Sequence, residues 1–408
     1  METVDILIKN ANEIITLKGS NKPRIKDEMN NLSIIEKGSI AIKDGIIFDI
    51  GKNLEYKSEK IIDAKGKTVM PGFVDPHTHL VFAGTREFEL GLKLKGYSYM
   101  DILKKGGGIL YTVDETRKAK QTDLVKQSKN RLNNMLINGT TTCEAKSGYG
   151  LNTETEIKIL NSIEKLNDIH PIEIIPTFLG AHAIPKEHSA DEYVDMIIDE
   201  MIPKTKKLAK FCDVFCEKGV FTPAQSEIIL EAGKTHGLIP KIHADEIVDT
   251  GGAALSAKVG AISADHLLNS NESGLKDMAN KGVMGILLPG TPFSLMMKEY
   301  ADARKIINLG VPVAIATDLN PNCWVENMQL IIQLACFKMK LTPAEAITAS
   351  TFNAACSIGV NNKVGSLEKG KQADILILDC PNHIFIPYHF GVNLVETIIK
   401  KGKIVKPN

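Results

Sequence analysis

The chain has no net charge to offer a polyanion: 49 Lys and Arg balance 49 Asp and Glu over 408 residues. A broad electrostatic face for nucleic acid or an anionic membrane is therefore not expected. No apolar run reaches the ~20 residues that cross a bilayer. The opening Met-Glu-Thr-Val-Asp-Ile lacks the basic and apolar regions of a secretory leader. Seven scattered cysteines, an odd number, argue against a disulfide scaffold and fit a reducing cytoplasm. Cys212 and Cys216 are the closest pair, but their spacing is wrong for a zinc knuckle, and both read as core side chains. No Gly-x-Gly-x-x-Gly follows a strand candidate, which weakens a dinucleotide-enzyme reading. What remains is an ordinary globular composition, 43% hydrophobic and 24% charged, in a chain long enough to bury a large core.

The two ends share one texture. Short strand patterns fill the first sixty-odd residues, with an Asp44-Gly45 turn between two of them, and return after Gly365. Both termini are expected to build one small β-sandwich, from residues 1–68 and 361–408. The middle, 69–360, alternates strand and helix. Its strand candidates end near Thr78, Ala145, Gly180, Glu217, Ala244, His266, Pro289 and Thr317. Amphipathic stretches follow them, one spanning about 114–138. Another runs from Thr222-Pro223 to His236, with Thr as cap, Pro in the first turn and Gly237 as stop. Thr342-Pro343-Ala344-Glu345 is a capping box for a last helix that Gly359 closes. Eight such units predict an α/β fold, a (β/α)8 TIM-type barrel.

Active sites of such barrels lie at the C-terminal strand ends. Five of the ten histidines fall there: His77, His79, His182, His243 and His266. His77-Thr78-His79 places two imidazoles on one face of a strand, where both can reach one metal ion. With His243 and Asp318 they make a set of three imidazoles and one carboxylate for one ion. A metal so held brings the pKa of bound water to about 7. Glu246, three residues past His243, is placed to act as general base and then acid. His266 can donate to a developing oxyanion. Asp265 should point to the opposite face if its strand is regular, and so reads as structural. Asp318 has a second reading, as a group that orients the attacking water. Lys218 lies near the fourth strand end, but beside Glu217 it reads as a surface lysine rather than a bridging ligand for two metals.

Several segments together resemble the amidohydrolase superfamily, and within it the imidazolonepropionase branch. They are Asp75-Pro-His-Thr-His-Leu-Val-Phe-Ala-Gly-Thr-Arg86, Gly106-Gly-Gly-Ile, Lys146-Ser-Gly-Tyr-Gly-Leu151, Gly180-Ala-His182, His243-Ala-Asp-Glu246, Ser263-Ala-Asp-His266 and Ala316-Thr-Asp-Leu-Asn-Pro321. They run in order through nearly all of the barrel. The resemblance implies hydrolysis of 4-imidazolone-5-propanoate to N-formimidoyl-L-glutamate by a homodimer with one Zn2+ or Fe3+ per subunit. It assigns substrate contacts to Arg86, Tyr149, His182, Glu246, Asn320, Asn322 and Cys323. Arg86 would clasp the substrate carboxylate bidentately. Tyr149 would hydrogen-bond the tail or ring, and His182 would bind ring or carboxylate. Asn320 would pair with a ring amide. One departure stands out: Asn320-Pro321-Asn322-Cys323-Trp324 replaces the family's usual Asn-Pro-Gly, which bears on contacts at Asn322 and Cys323. Gly106-Gly107-Gly108 reads equally as a lid hinge or a loose loop.

Three other readings use the same residues. A mononuclear deaminase of a nucleobase-like ring would need the same metal set, Glu246 and His266. A binuclear hydrolase would need a modified lysine at the fourth strand. A non-catalytic barrel would have no use for a complete metal and proton-transfer set.

Overall fold

A computed structural model describes residues 2–97, 101 and 105–406. In chain order, β1 (Thr3–Ile15), β2 (Ile34–Lys43), β3 (Ile46–Gly51), β4 (Lys57–Asp63) and β5 (Thr68–Pro71) precede the barrel strands. These are β6 (Phe73–Asp75), β7 (Thr140–Lys146), β8 (Glu173–Ala181), β9 (Phe211–Cys216), β10 (Ile239–Ala244), β11 (Ser263–His266), β12 (Met284–Leu287) and β13 (Val313–Ile315). The chain closes with β14 (Ile375–Leu378), β15 (Val395–Lys400) and β16 (Lys403–Val405).

Strands from the two ends form one mixed sheet in the order β16-β15-β14-β5-β1-β2-β3, with β4 parallel to β1. The cause lies in alternating isoleucines. Ile6, Ile8, Ile14, Ile40, Ile42 and Ile375 bury themselves in a core separate from that of the barrel. Asp44 and Gly45 both take positive φ (53° and 79°), the conformation a tight hairpin demands, and so β2 turns directly into β3. β5 leads from this sheet into the barrel through Gly72, where any Cβ would lie 2.2 Å from Thr141 Oγ1.

β6 to β13 are neighbours in sequence order and parallel throughout. Their residues are almost all buried, as expected of strands with helices outside and packed side chains inside. A bridge between Thr78 and Leu319 joins the last strand to the first, through Asp318 N–H to His77 O (3.1 Å) and His79 N–H to Leu319 O (2.8 Å). The (β/α)8 reading is thus met, with the ring closed beside the His77-Thr78-His79 segment.

The helix expectations are mostly met. Thr222 caps Pro223–Thr235 and Thr342 caps Pro343–Ser350, each in a capping box. Two expected helices are each broken. The stretch around 114–138 divides into Ile109–Lys118 and Gln121–Ile137 at an extended Ala119-Lys120. Lys158 causes a firm stop there, because its Nζ donates to the carbonyls of Thr116, Arg117 and Ala119. The last helix breaks at Thr351, whose φ is −133°, and resumes as Phe352–Ser357.

Candidate metal centre

His77 and His243 reach the barrel mouth with one ring nitrogen already occupied. His77 Nδ1–H donates to Asp265 Oδ2 at 2.6 Å, and His243 Nδ1–H donates to Asp213 Oδ1 at 3.1 Å. A carboxylate on Nδ1 fixes the tautomer and turns the Nε2 lone pair forward. Both Nε2 atoms are buried and have no protein partner. Ligand atoms of His77, His79 and His243 lie within 4.8 Å of one another. Asp318 Oδ1 is 3.5 Å from Nε2 of both His77 and His79. Unpartnered buried nitrogens cost free energy unless something fills the space between them. Three nitrogens and one carboxylate oxygen around that space suit a zinc- or iron-type ion.

The electrostatics agree. Burial holds the His77 and His79 rings well below their usual pKa, so both stay in the neutral, ligating form. Burial pushes Asp318 up to about 6, while Thr291 Oγ1 donates to its Oδ2 at 2.5 Å. Burial lowers His243, but Asp213 outweighs it and the net shift is upward. A cation at Nε2 would satisfy the same attraction.

Glu246 follows β10. Burial, reinforced by Asp318, pushes its carboxyl up to about 8, inside the range of a working general base. Its Oε1 is 3.7 Å from His266 Nδ1, too long for a hydrogen bond but close enough for a shared substrate group to bridge. Burial also keeps His266 neutral. Four non-glycine residues at these strand ends are left-handed: Asp245 (φ 52°), His266 (φ 77°), Leu267 (φ 60°) and Asp318 (φ 53°). Such backbone persists only where its surroundings over-determine it. Asp245 shows how: its carboxylate accepts from the N–H groups of Thr250, Gly252 and Ala253 and from Ser270 Oγ.

The expectation that Asp265 faces away is overturned. Ser263 Oγ donates to Asp265 Oδ1, and both side chains point inward with the His77 contact. His266 reaches the same site because its left-handed φ breaks the alternation that a regular strand would impose.

His182 stacks on His79, with centroids 4.6 Å apart and planes 12° apart, and donates from Nδ1 to Gly148 O at 3.0 Å. Tyr149 is buried, its ring 5.2 Å from that of His182 and 5.7 Å from that of His79. Arg86 is buried and forms a two-point pair with Glu89, from Nε (2.7 Å) and Nη2 (2.8 Å). Two of its five donors are spent, and the outer Nη1/Nη2 edge keeps the geometry for a carboxylate. Glu89 Oε1 also accepts from Gly108 N–H at 2.7 Å, so the end of the Gly106–Gly108 run is tied down.

The loop after Asp318 is bonded largely to itself. Asn320 turns its amide oxygen into its own loop, where Oδ1 accepts from Asn322 N–H (2.8 Å) and Cys323 N–H (2.9 Å). Its Nδ2 donates to Asp318 O at 2.8 Å. The N–H groups of Asn322 and Cys323 are consumed in that turn. Asn322 has no positive φ, so the missing glycine leaves no backbone strain here. Its Oδ1 accepts from Lys93 Nζ at 2.5 Å. Cys323 is buried, with Sγ 3.7 Å from Thr317 O, as a small polar filler would be. Lys218 is exposed, and Cys212 and Cys216 are buried.

Sequence reasoning missed Asp213, Lys146, Glu144, Glu89 and Lys93. The first three had a signal: charged residues inside the apolar strand runs Phe211-Cys-Asp-Val-Phe215 and Thr140-Thr-Thr-Cys-Glu-Ala-Lys146, where they must be buried. Glu89 and Lys93 had none beyond helix spacing from Arg86.

Residues 68–405 match the sequence pattern of the Amidohydrolase family. An imidazolonepropionase of Alkaliphilus metalliredigens is 52% identical over 98% of both chains. That of Geobacillus kaustophilus is 52% identical over 98% of this chain and 97% of its own. Among solved structures, an atrazine chlorohydrolase variant of Arthrobacter aurescens, complexed with zinc and atraton, superposes with a TM-score of 0.76 at 16% identity, covering 99% of this chain and 95% of that one. A zinc-bound adenosine deaminase of Xanthomonas campestris gives 0.73 at 17%, covering 100% and 94%. At such identities the structural likeness speaks for the fold alone.

Proposed function

The chain belongs to the amidohydrolase family, and on that premise we propose how its residues share the work of one reaction. The reaction is hydrolysis of a cyclic-amide C–N bond: the ring of 4-imidazolone-5-propanoate opens to N-formimidoyl-L-glutamate, a step of histidine degradation. The observation that carries the metal-dependent reading is the pair of buried, unpartnered Nε2 atoms on His77 and His243, each backed by a carboxylate and each facing the space shared with His79 and Asp318.

One zinc or iron ion per subunit would be held by His77, His79, His243 and Asp318 and would supply Lewis acidity at that point. Glu246 takes the proton lost by the water as it adds to the ring carbonyl carbon. Burial raises the basicity of Glu246, and a cation beside it would keep the carboxylate ionised and able to accept. The oxygen that becomes negative receives an N–H from neutral His266. When the C–N bond breaks, Glu246 returns its proton to the departing nitrogen, so no proton is left over. Arg86 holds the propanoate carboxylate on its outer edge, with Glu89 keeping the guanidinium still. Tyr149 and His182 line the ring side of the pocket.

A nucleobase deaminase would use the same metal and proton-transfer groups, but it has no need of Arg86. Seven cysteines without a disulfide support a cytoplasmic setting, and the family supports a homodimer. Among the described residues no helix is long and apolar enough to cross a membrane. The decisive assay supplies freshly generated imidazolonepropanoate and measures metal content on the same sample. Formimidoylglutamate at one metal per chain is expected. Ammonia release from a nucleobase, with the imidazolone untouched, would falsify the assignment.

A further inference from the structure

Directly beneath the candidate ligands, Lys146 and Glu144 complete a charge cluster with Asp213 and Asp265, and none of the roles above uses these two. Lys146 ends β7 with its side chain fully buried. Its Nζ is 2.8 Å from Glu144 Oε1, 2.7 Å from Asp213 Oδ2 and 3.6 Å from Asp265 Oδ2. Each of these three carboxylates leads to the metal segment by a different route. Asp213 accepts from His243, and Asp265 accepts from His77. Glu144 Oε2 accepts from the Thr78 N–H at 3.4 Å, between the two ligand histidines of β6. The backbone repeats the tie: Lys146 N–H donates to Thr78 O at 2.9 Å, and Thr78 Oγ1 donates to Glu144 O at 2.6 Å.

We propose that Lys146 is a positioning residue of the metal centre: its ammonium is the hub that aims Asp213 and Asp265, and through them the Nε2 atoms of His243 and His77, at one point. Without it, three buried carboxylates would face one another beneath the barrel mouth. They would turn away from mutual repulsion, and the imidazoles they carry would turn with them. Lys241 makes the contrast. It is equally buried, yet its Nζ has no hydrogen-bond partner and lies over the Phe211 ring at 5.3 Å. Lys241 feels Asp265 and Asp213 through space, but without a hydrogen bond to either it has no fixed geometry with which to aim the imidazoles.

This inference rests on the metal reading of the site but not on the substrate, so the test is binding. Zinc affinity of the full chain is measured by competition with a chromophoric chelator, on protein shown to be folded by circular dichroism. Lys146→Gln is expected to weaken zinc about 10–100-fold, the usual effect of disturbing groups behind a ligand. Lys241→Met is expected to leave affinity within about threefold of wild type. If Lys146→Gln does not fold, the charge-balanced double variant Lys146→Met/Glu144→Gln takes its place with the same expectation. Affinity within twofold of wild type in the folded variant overturns the positioning role, as does an equal loss in Lys241→Met. Wild-type protein that binds no zinc or iron overturns the metal reading itself, which is a separate failure.

Discussion

The floor and the rim of this barrel mouth hold their polar groups in opposite ways. At the floor, Lys146, Asp213 and Asp265 are tied across three strands, and the bonds stop one atom short: the Nε2 atoms of His77 and His243 are left facing open space. At the rim, Arg86 is closed on Glu89, Asn320 on the N–H groups after it, and Asn322 on Lys93. The floor therefore presents its nitrogens to a cation, whereas the rim groups bond chiefly to one another and Arg86 keeps only its outer edge for a substrate. At the rim a substrate must displace existing bonds everywhere except at the outer edge of Arg86, while at the floor a cation meets nitrogens with no protein partner to displace.

The contrast breaks most completely at the floor. Stripping the metal with a chelator should abolish turnover, and zinc or iron should restore it. His243→Ala should prevent the recovery, with circular dichroism showing that the fold remains. Glu246→Gln should cost about 10²–10⁴-fold in kcat, the usual contribution of a general base. It should leave metal content unchanged, because the carboxamide keeps the shape without the basicity. Unchanged kcat in that variant would remove Glu246 from the chemistry.

The same contrast explains what the sequence made legible. The floor is set by strand ends, and strand ends can be counted. His77, His243 and Asp318 could be placed on one rim from the βα repeat alone, and the barrel with them. Asp265 could not, because counting gave the inward face to His266, which reaches the site only through a left-handed φ that no pattern announces. Nor could the state of the rim be read. Arg86 was visible as a cation on a loop, but Glu89 and Lys93 came into play only when the Phe88–Leu94 helix folded over the mouth. Asn320 looked like a recognition amide because an Asx turn and a ligand contact use the same atoms.

At the rim the effects should be smaller and should fall on binding. Arg86→Lys keeps the charge but loses the planar fork, and should raise KM about tenfold with kcat within about twofold. An equal fall in kcat would mean that Arg86 acts on the transition state rather than on the carboxylate tail.

Stability against pH sharpens the comparison from the floor side. In the metal-free protein the Glu246 carboxyl is raised by burial to about 8. Between its ordinary value near 4.5 and about 8, the folded chain holds a proton that the unfolded chain has released. This group's contribution is thus fully present below pH 4.5 and is lost as pH rises through about 8. Glu246→Gln mimics the protonated form at every pH. Its metal-free melting temperature should match wild type near pH 4.5 and exceed it by a growing margin up to pH 8. A constant offset across that range would show that the carboxyl is not perturbed.

The smallest change belongs to Asn322, where the rim is closed by a contact of its own making. Its φ is ordinary, so glycine brings no relief of strain, and its N–H bond to Asn320 survives the substitution. What Asn322→Gly removes is the side-chain oxygen that holds Lys93. Freed, the ammonium can swing toward an anionic tail, at the cost of the order that the pair imposed on it. These effects oppose one another and leave a KM change of a few-fold at most, with kcat unmoved. A loss of kcat would show instead that the loop transmits its position to Asp318 through Asn320, and that rim and floor are less independent than their bonding suggests.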